Sequence, residues 1–168
     1  MGCAYLNFTA SHDGLGMRPA EGLLPEHEKQ QMIDTVRAAG GLVSMRTMPD
    51  GSQSPYELNT TFYAALERTF KGADQYHRER FICSQTIVMS LEGIPAFYIH
   101  SLLATPNDHE AVEHRGMNRA INRHRWDYPA LRALLDDPAS PQSQVLGALT
   151  DRLKLRGRQT AFHPNATQ

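Results

Sequence analysis

Two short apolar segments with strand character, far apart in the chain, constrain its fold more than any other feature. Residues 4–9 (AYLNFT) are rich in β-forming residues, and residues 94–100 (IPAFYIH) are apolar up to the last residue. Such runs are typical of strands that are buried on both faces of a parallel sheet. Segments with helical signals lie between and after the two runs. This alternation predicts an α/β fold with parallel strands.

Local signals divide the rest of the chain. Pro25 and the acidic residues after it are typical of a helix N-terminus, and Gly40 ends that helix. Asn59 and Asp74 can each cap a further helix. We therefore predict helices at residues 25–39, 60–69, 74–91, 130–135 and 141–155, a strand at 42–46, a turn and polar loop at 48–57, an irregular stretch at 101–128 and a strand-like stretch at 159–168.

The composition and charge of the chain exclude several classes of protein. Hydrophobic residues make up 40% of the sequence and charged residues 21%, which suits a globular protein and not a disordered tail. The formal net charge of −1 provides no attraction to nucleic acid or to a membrane surface. No apolar run approaches the roughly 18 residues of a membrane span, and no signal peptide is visible. A cytoplasmic protein is the resulting expectation.

Two parallel strand units make a poor domain by themselves. Parallel strands need neighbours on both edges and cover on both faces. We therefore expect the chain to be one part of a larger α/β protein. Its eight histidines show no spacing typical of a metal site, and no cysteine pair supports one, so neither a metal nor a cofactor is expected.

The dipeptide His12-Asp13 is the strongest candidate for chemistry. It lies where the first predicted strand gives way to a glycine-rich loop. In (β/α) barrels the C-terminal ends of the strands carry the active site. A carboxylate there can stabilise positive charge that develops on a sugar ring. From the dipeptide alone the alternative stays open that Asp13 only caps a loop and His12 is a spacer.

Residues 115–125 contain four arginines, Arg115, Arg119, Arg123 and Arg125. They can form a solvated basic loop or a patch for nucleic acid, or one of them can bind sugar hydroxyls or phosphate. The balanced charge of the whole chain argues against nucleic acid.

Four segments, in order along the chain, resemble the sucrose-phosphorylase-like branch of the α-amylase superfamily. They are residues 8–14 (FTASHDG) with Arg18-Pro19 and Glu21-Gly22 after them, residues 51–59 (GSQSPYELN), residues 93–103 (GIPAFYIHSLL) and residues 119–124 (RAINRH). They resemble, respectively, the fourth conserved region, the acceptor loop, the last barrel strand and the arginine-bearing loop of that branch.

The resemblance implies the C-terminal part of a (β/α)8 TIM barrel, with strands 7 and 8, their helices and a helical excursion between them. Residues 1–156 would form this partial barrel, with an acceptor loop at about 46–58. Residues 157–168 would begin a truncated C-terminal β domain.

The resemblance also implies roles for individual residues. The family uses one carboxylate as nucleophile, a second as general acid/base and a third to stabilise the transition state. Asp13 resembles the third, while His12 and Arg119 would hold hydroxyls of the glucosyl ring. The other two carboxylates lie upstream in the family and have no counterpart here. The chain alone is therefore expected to be inactive.

The segment GSQSPYELN is more similar to glucosylglycerate phosphorylases than to sucrose phosphorylases, which generally carry glutamine where this chain has Glu57. Tyr56 and Glu57 would face the leaving group or the attacking phosphate, and Arg46 would be available to a glycerate-type anion. The implied reaction transfers glucose from an α-glucoside to inorganic phosphate by a retaining double displacement, which gives glucose 1-phosphate. The alternatives are a sucrose phosphorylase, another glucosidase or transglucosidase of the superfamily, and a catalytically inactive binding or structural fragment.

Overall fold

Short strands and helices alternate in a mixed α/β architecture, seen in a computed structural model that describes residues 4–163 and residue 166. The strands in these residues are β1 (Leu6–Asn7), β2 (Leu15–Gly16), β3 (Leu42–Thr47), β4 (Gln53–Asn59), β5 (Arg68–Thr69), β6 (Gly72–Ala73) and β7 (Ile94–Pro95). The α-helices are α1 (Glu26–Ala38), α2 (Phe62–Ala65), α3 (His77–Ser90), α4 (Ile99–Leu102), α5 (His109–Arg115), α6 (Tyr128–Asp136) and α7 (Pro141–Gly157). Three 3-10 helices span Arg18–Ala20, Asn118–Asn122 and Thr160–Phe162.

The two apolar segments form a parallel pair, but the expectation that they are buried on both faces is wrong, since Leu6 is 61% and Ile94 54% exposed. β1 and β7 are parallel, with Leu6 opposite Ile94. The amide of Ile94 donates to the carbonyl of Tyr5 (2.8 Å), and the amide of Ala96 donates to the carbonyl of Asn7 (2.8 Å). The second strand is much shorter than predicted, because the chain turns into α4 at Ile99.

The strands that lie between β1 and β7 in the sequence include a three-stranded antiparallel sheet in the order β2-β4-β3. The predicted polar loop at 48–57 is wrong beyond its turn, since residues 53–59 form β4 against β3. The turn itself is confirmed. Met48 donates its amide to the carbonyl of Ser52 (2.8 Å), and Gly51 takes a φ of +83°. Because this segment contains polar residues and Pro55, its sequence does not indicate a strand. It forms one because β2 and β3 pair with it on both sides.

Four predicted helices are confirmed, one is much shorter than predicted, and one further helix lies in a stretch predicted to be irregular. The structure confirms the helices predicted at 25–39, 74–91, 130–135 and 141–155 as α1, α3, α6 and α7. The helix predicted at 60–69 is only the four residues of α2, and Thr61 caps it by accepting from the amide of Ala64 (3.1 Å). The stretch predicted as irregular contains α5, which Asp108 caps (2.8 Å to the amide of Ala111) and which ends at Gly116 with a φ of +62°.

Two apolar clusters stabilise the fold. In one, Phe81 of α3 packs with Val145 and Leu149 of α7, and all three are fully buried. In the other, Ile33 and Val36 of α1 pack beneath the antiparallel sheet, against Leu58, Met17 and Ala65. The second cluster supports β4, which carries residues of the candidate site.

The buried side chain of Arg156 connects α7 to the segment that leads into β7. Its guanidinium donates to the carbonyls of Met89, Leu91 (3.2 Å) and Gly93 (2.6 Å), and it also lies 3.9 Å from the centre of the Phe162 ring. These carbonyls lie at and after the C-terminal end of α3, where a positive charge is favoured.

The end of the chain differs from the prediction where it is described. The strand-like stretch expected from residue 159 is a 3-10 helix at Thr160–Phe162. Residues 164, 165, 167 and 168, on which the expected C-terminal β domain also depends, lie outside the described residues. Within the part of the chain that the structure describes, no helix is long and apolar enough to cross a membrane.

Candidate functional site

The His12-Asp13 dipeptide lies in a tight turn that leads directly into β2. The amide of Gly14 donates to the carbonyl of Ser11 (3.2 Å), and the amide of Asp13 donates to Oγ of Ser11 (3.2 Å). Gly14 has a φ of +109°, and a Cβ atom there would lie 2.3 Å from the carbonyl oxygen of Leu58 in β4. Only glycine suits this position, so the turn packs directly on the backbone of β4.

Three cationic or polar side chains surround the carboxylate of Asp13. Its Oδ1 atom lies 3.0 Å from Nη2 of Arg123, 3.4 Å from Nη1 of Arg119 and 3.4 Å from Nε2 of His12. The side chain of Asp13 remains 35% exposed. The structure thus brings together the three residues that the sequence singled out for the glucosyl site, and it adds Arg123.

Glu57 of β4 forms the second carboxylate of the site and is 5% exposed. Its Oε2 accepts from Nε of Arg119 (2.9 Å) and its Oε1 accepts from Nη2 of the same guanidinium (3.2 Å). Oε2 also accepts from Nδ2, the side-chain amide nitrogen, of Asn59 (2.8 Å). The hydrogen bond and charge of Glu57, with a smaller contribution from Asp13, raise the pKa of Arg119. Arg119 therefore bridges the buried and the exposed carboxylate.

Side chains from outside the turn hold its backbone in place. The carbonyls of three consecutive residues each accept a hydrogen bond. Asn122 donates to Ser11 (2.7 Å), Arg123 to His12 (3.0 Å) and Asn59 to Asp13 (3.1 Å). Ser44 of β3 in turn donates to Oδ1 of Asn59 (2.6 Å). The position of Asp13 therefore depends on β4 and on the segment that contains Arg119.

The other two predicted site residues are placed differently. Tyr56 precedes Glu57 on β4, is partly exposed, and lies close enough to Arg119 to influence its charge. Arg46 is not part of the Asp13 cluster. Its Nη2 donates to Oε1 of Glu21 (2.6 Å), so the cation that was expected to be available for a glycerate-type anion already has an anionic partner.

Sequence reasoning gave no site role to Asn59, Asn122 or Tyr98, and it named Arg123 only as one of four arginines that could bind a ligand. The hydroxyl of Tyr98 donates to the carbonyl of Asn122 (2.8 Å), and burial raises the pKa of Tyr98. Asn59 was interpreted as a helix cap, but it is fully buried and makes the contacts described above.

The arrangement around Asp13 offers hydrogen-bond donors to a polar ligand. Two guanidiniums and one imidazole offer donors for hydroxyl or anionic oxygens beside a partly exposed carboxylate. Among residues 4–163 and residue 166, no group of three or more histidine, cysteine, aspartate or glutamate side chains is placed to hold a metal ion. A groove of about 680 Å³ lies elsewhere, beside Arg156 and Phe162.

Comparison with known proteins shows which enzymes this chain resembles in sequence. The chain is 42% identical over 165 residues to glucosylglycerate phosphorylase of Spirochaeta thermophila, covering 98% of the chain and 28% of that protein. It is 40% identical over 161 residues to glucosylglycerate phosphorylase of Escherichia coli K12, covering 96% of the chain and 29% of that protein.

A solved structure has a similar fold over most of the chain. Sucrose 6F-phosphate phosphorylase from Thermoanaerobacter thermosaccharolyticum superposes with a TM-score of 0.74 at 25% identity, over 90% of the chain and 29% of that protein. No protein-family model matches the chain. The chain spans about three tenths of the length of the relatives it matches.

Proposed function

Because this chain is related in sequence, over almost all of its length, to part of the glucosylglycerate phosphorylases, we propose that it supplies the Asp13 side of the glucosyl site of such an enzyme. The single observation that supports this most strongly is the convergence of His12, Arg119 and Arg123 on one carboxylate oxygen of Asp13. The parallel pairing of β1 with β7 and the likeness to a solved phosphorylase support the finer proposal that the two strands are neighbours in a (β/α)8 barrel.

The reaction would be a retaining double displacement. A carboxylate nucleophile takes the glucosyl group and releases the glycerate part, and inorganic phosphate then attacks the covalent intermediate to give glucose 1-phosphate. The nucleophile and the general acid/base would come from the rest of the enzyme. Asp13, ionised and held by two arginines, would stabilise the positive charge of the oxocarbenium-like transition state. His12 and Arg119 would orient the ring hydroxyls.

Glu57 would act through Arg119 and not as a free anion. It is almost fully buried, and its two oxygens are occupied by the guanidinium of Arg119 and the amide of Asn59. The positive charge of Arg119 offsets the negative charge of this buried carboxylate, so the pair repels a glycerate or phosphate ion only weakly. The proposed role of Glu57 is to fix the plane of the Arg119 guanidinium beside Asp13.

A graft tests the proposed function. The matched segment of the E. coli relative is replaced by this chain, and the purified protein is incubated with phosphate and glucosylglycerate, sucrose or glucosylglycerol. We expect glucose 1-phosphate to form fastest from glucosylglycerate, whereas the 168-residue chain alone should form none.

Two results would contradict the proposal. A folded graft that releases no glucose 1-phosphate from any of the three glucosides would remove a phosphorylase role for this segment. A graft that prefers sucrose would favour the second candidate, a sucrose phosphorylase, which the likeness to sucrose 6F-phosphate phosphorylase keeps in view.

A further inference from the structure

The dipeptide Asn107-Asp108 lies just before α5 and does not touch Asp13. It contacts both halves of the site, which are the end of β4, the strand of Glu57, and the arginine segment, residues 118–124. We propose that Asn107 and Asp108 are positioning residues, which set the spacing between the strand that carries Glu57 and the segment that carries Arg119 and Arg123. This inference rests on the proposed function, because the positioned groups are those of the glucosyl site.

Asp108 holds the arginine segment at two points. Its amide donates to the carbonyl of Ile121 (2.9 Å), and its Oδ2 accepts from Nδ1 of His124 (2.6 Å). These two contacts lie on either side of Arg123 in the sequence. The remaining oxygen, Oδ1, accepts from the amide of Ala111 and caps α5 (2.8 Å). Residue 108 thus joins the arginine segment to the start of a helix, through its backbone amide at Ile121 and through its carboxylate at His124.

Asn107 holds the end of β4. Its Oδ1 accepts from the amide of Thr61 (2.8 Å) and from Oγ1 of Thr60 (3.1 Å). Both threonines are fully buried and directly follow β4, which presents Glu57 and Asn59 to the site. A shift at residues 60–61 would therefore move the two side chains that hold Arg119 and the carbonyl of Asp13.

Consecutive residues cannot move far relative to each other, so the two sets of contacts are coupled. The bidentate contact between Glu57 and Arg119 joins β4 to the arginine segment, and the contact between Asp13 and Arg123 joins the turn, which Asn59 of β4 holds, to the same segment. Their geometry depends on how the halves are spaced. Displacement by about 1 Å in such a site can cost up to about 10²-fold in rate.

The hydrogen bonds of Asn107 make the inference specific. Only its carbonyl oxygen is used, whereas Nδ2 is buried and has no hydrogen-bond partner within the described part of the chain. An aspartate at this position can accept the same two hydrogen bonds, and an alanine can accept neither. N107D should therefore keep the spacing that N107A loses.

The kinetic test uses the graft described above, with variants N107A, N107D and D108N. We expect N107A and D108N to lower kcat for glucose 1-phosphate formation by about tenfold and to change the KM for phosphate by less than about twofold, since orientation in the transition state is lost and phosphate contacts are not. N107D should stay within about threefold of the unmodified graft. D136N is the matched control, because Asp136 pairs only with Arg132 on an exposed face of α6.

A second measurement does not depend on catalysis. Amide hydrogen exchange of the 168-residue chain, followed by mass spectrometry, should rise at residues 118–124 in D108N and at residues 60–62 in N107A, with no change at 141–157. An unmodified graft without activity would remove the proposed function, whereas this measurement would still decide the coupling.

Three outcomes would overturn the inference. The first is unchanged exchange at 118–124 in D108N. The second is a kcat of N107D as low as that of N107A. The third is an active graft in which N107A and D108N lower only the thermal midpoint and leave kcat per folded molecule intact, since this would show a purely structural role.

Discussion

Arginines hold two regions of this molecule together, but with different partners. At the candidate site Arg119 is 41% exposed and contacts the carboxylates of Glu57 and Asp13. At the far end of α7 Arg156 is 8% exposed and donates to three backbone carbonyls and stacks on Phe162. Among the described residues no carboxylate forms an ion pair with Arg156.

The difference shows that the partner of an arginine, and not its charge, indicates its role. Backbone carbonyls are fixed by the fold, so a guanidinium that is buried among them stabilises one conformation. A half-exposed guanidinium between two carboxylates retains access to solvent and can offer a donor to an incoming ligand. The region around Arg156 should therefore respond to mutation in stability, and the candidate site around Arg119 in activity.

Asp13→Asn should have the largest effect. It keeps the size of the side chain and removes the charge that would stabilise the transition state. In the graft we expect glucose 1-phosphate formation to fall by about 10²–10³-fold, with the thermal midpoint nearly unchanged. Steady-state kinetics and thermal unfolding of the same preparation check both parts. A variant with full activity would end the assignment of Asp13 and erase the contrast between the regions.

Arg156→Met should have the next largest effect, on stability. It keeps most of the apolar stem but leaves the carbonyls of Met89, Leu91 and Gly93 without their donor. We expect the free energy of unfolding of the 168-residue chain to fall by about 2–4 kcal/mol in urea denaturation, from the loss of several buried hydrogen bonds. Arg132→Met removes an exposed arginine that pairs with Asp136 and should change stability very little. Equal effects of the two substitutions would contradict the structural role of Arg156.

His100→Gln should have the smallest effect, which is a change in how the stability of the chain depends on pH. His100 lies on α4, which packs against α7, and its Nδ1 lies 3.0 Å from Oγ1 of Thr105. Burial, together with the charge of His124 and against that of Asp108, lowers the pKa of His100 from 6.5. The folded state then binds fewer protons than the unfolded state, so this stabilising contribution is present above pH 6.5 and is lost as the pH falls through the lowered value.

Urea denaturation at pH 7.5 and at pH 5.5 measures this contribution of His100. The parent chain should lose more stability between the two pH values than His100→Gln, which carries no titrating group there. The same pH dependence in both proteins would show that His100 is not the group responsible.

Sequence patterns predicted the elements that depend on local or strongly apolar signals. The helices that begin near Pro25, Asp74 and Pro141 follow from caps and periodicity, and the pairing of β1 with β7 follows from two apolar runs. The resemblance placed His12, Asp13 and Arg119 in one site, and the structure brings them together.

The remaining features depend on contacts between distant residues. β4 has few β-forming residues and is a strand because β2 and β3 pair with it. Asn59 resembles a helix cap in sequence, but its side-chain amide donates to the carbonyl of Asp13, which lies 46 positions earlier in the chain. From the sequence Arg46 is an available cation, but in the structure its guanidinium pairs with Glu21. No local pattern reports such partners.

The glycine after Asp13 limits how chains of this kind can diverge. Because a single added methyl group would meet the backbone of the neighbouring strand, no substitution at Gly14 is conservative. A descendant of this chain could keep its aspartate and still lose the working position of that carboxylate through one codon change beside it. In diverged copies, the presence of this glycine is thus a more sensitive record of a functioning turn than the acidic residue itself.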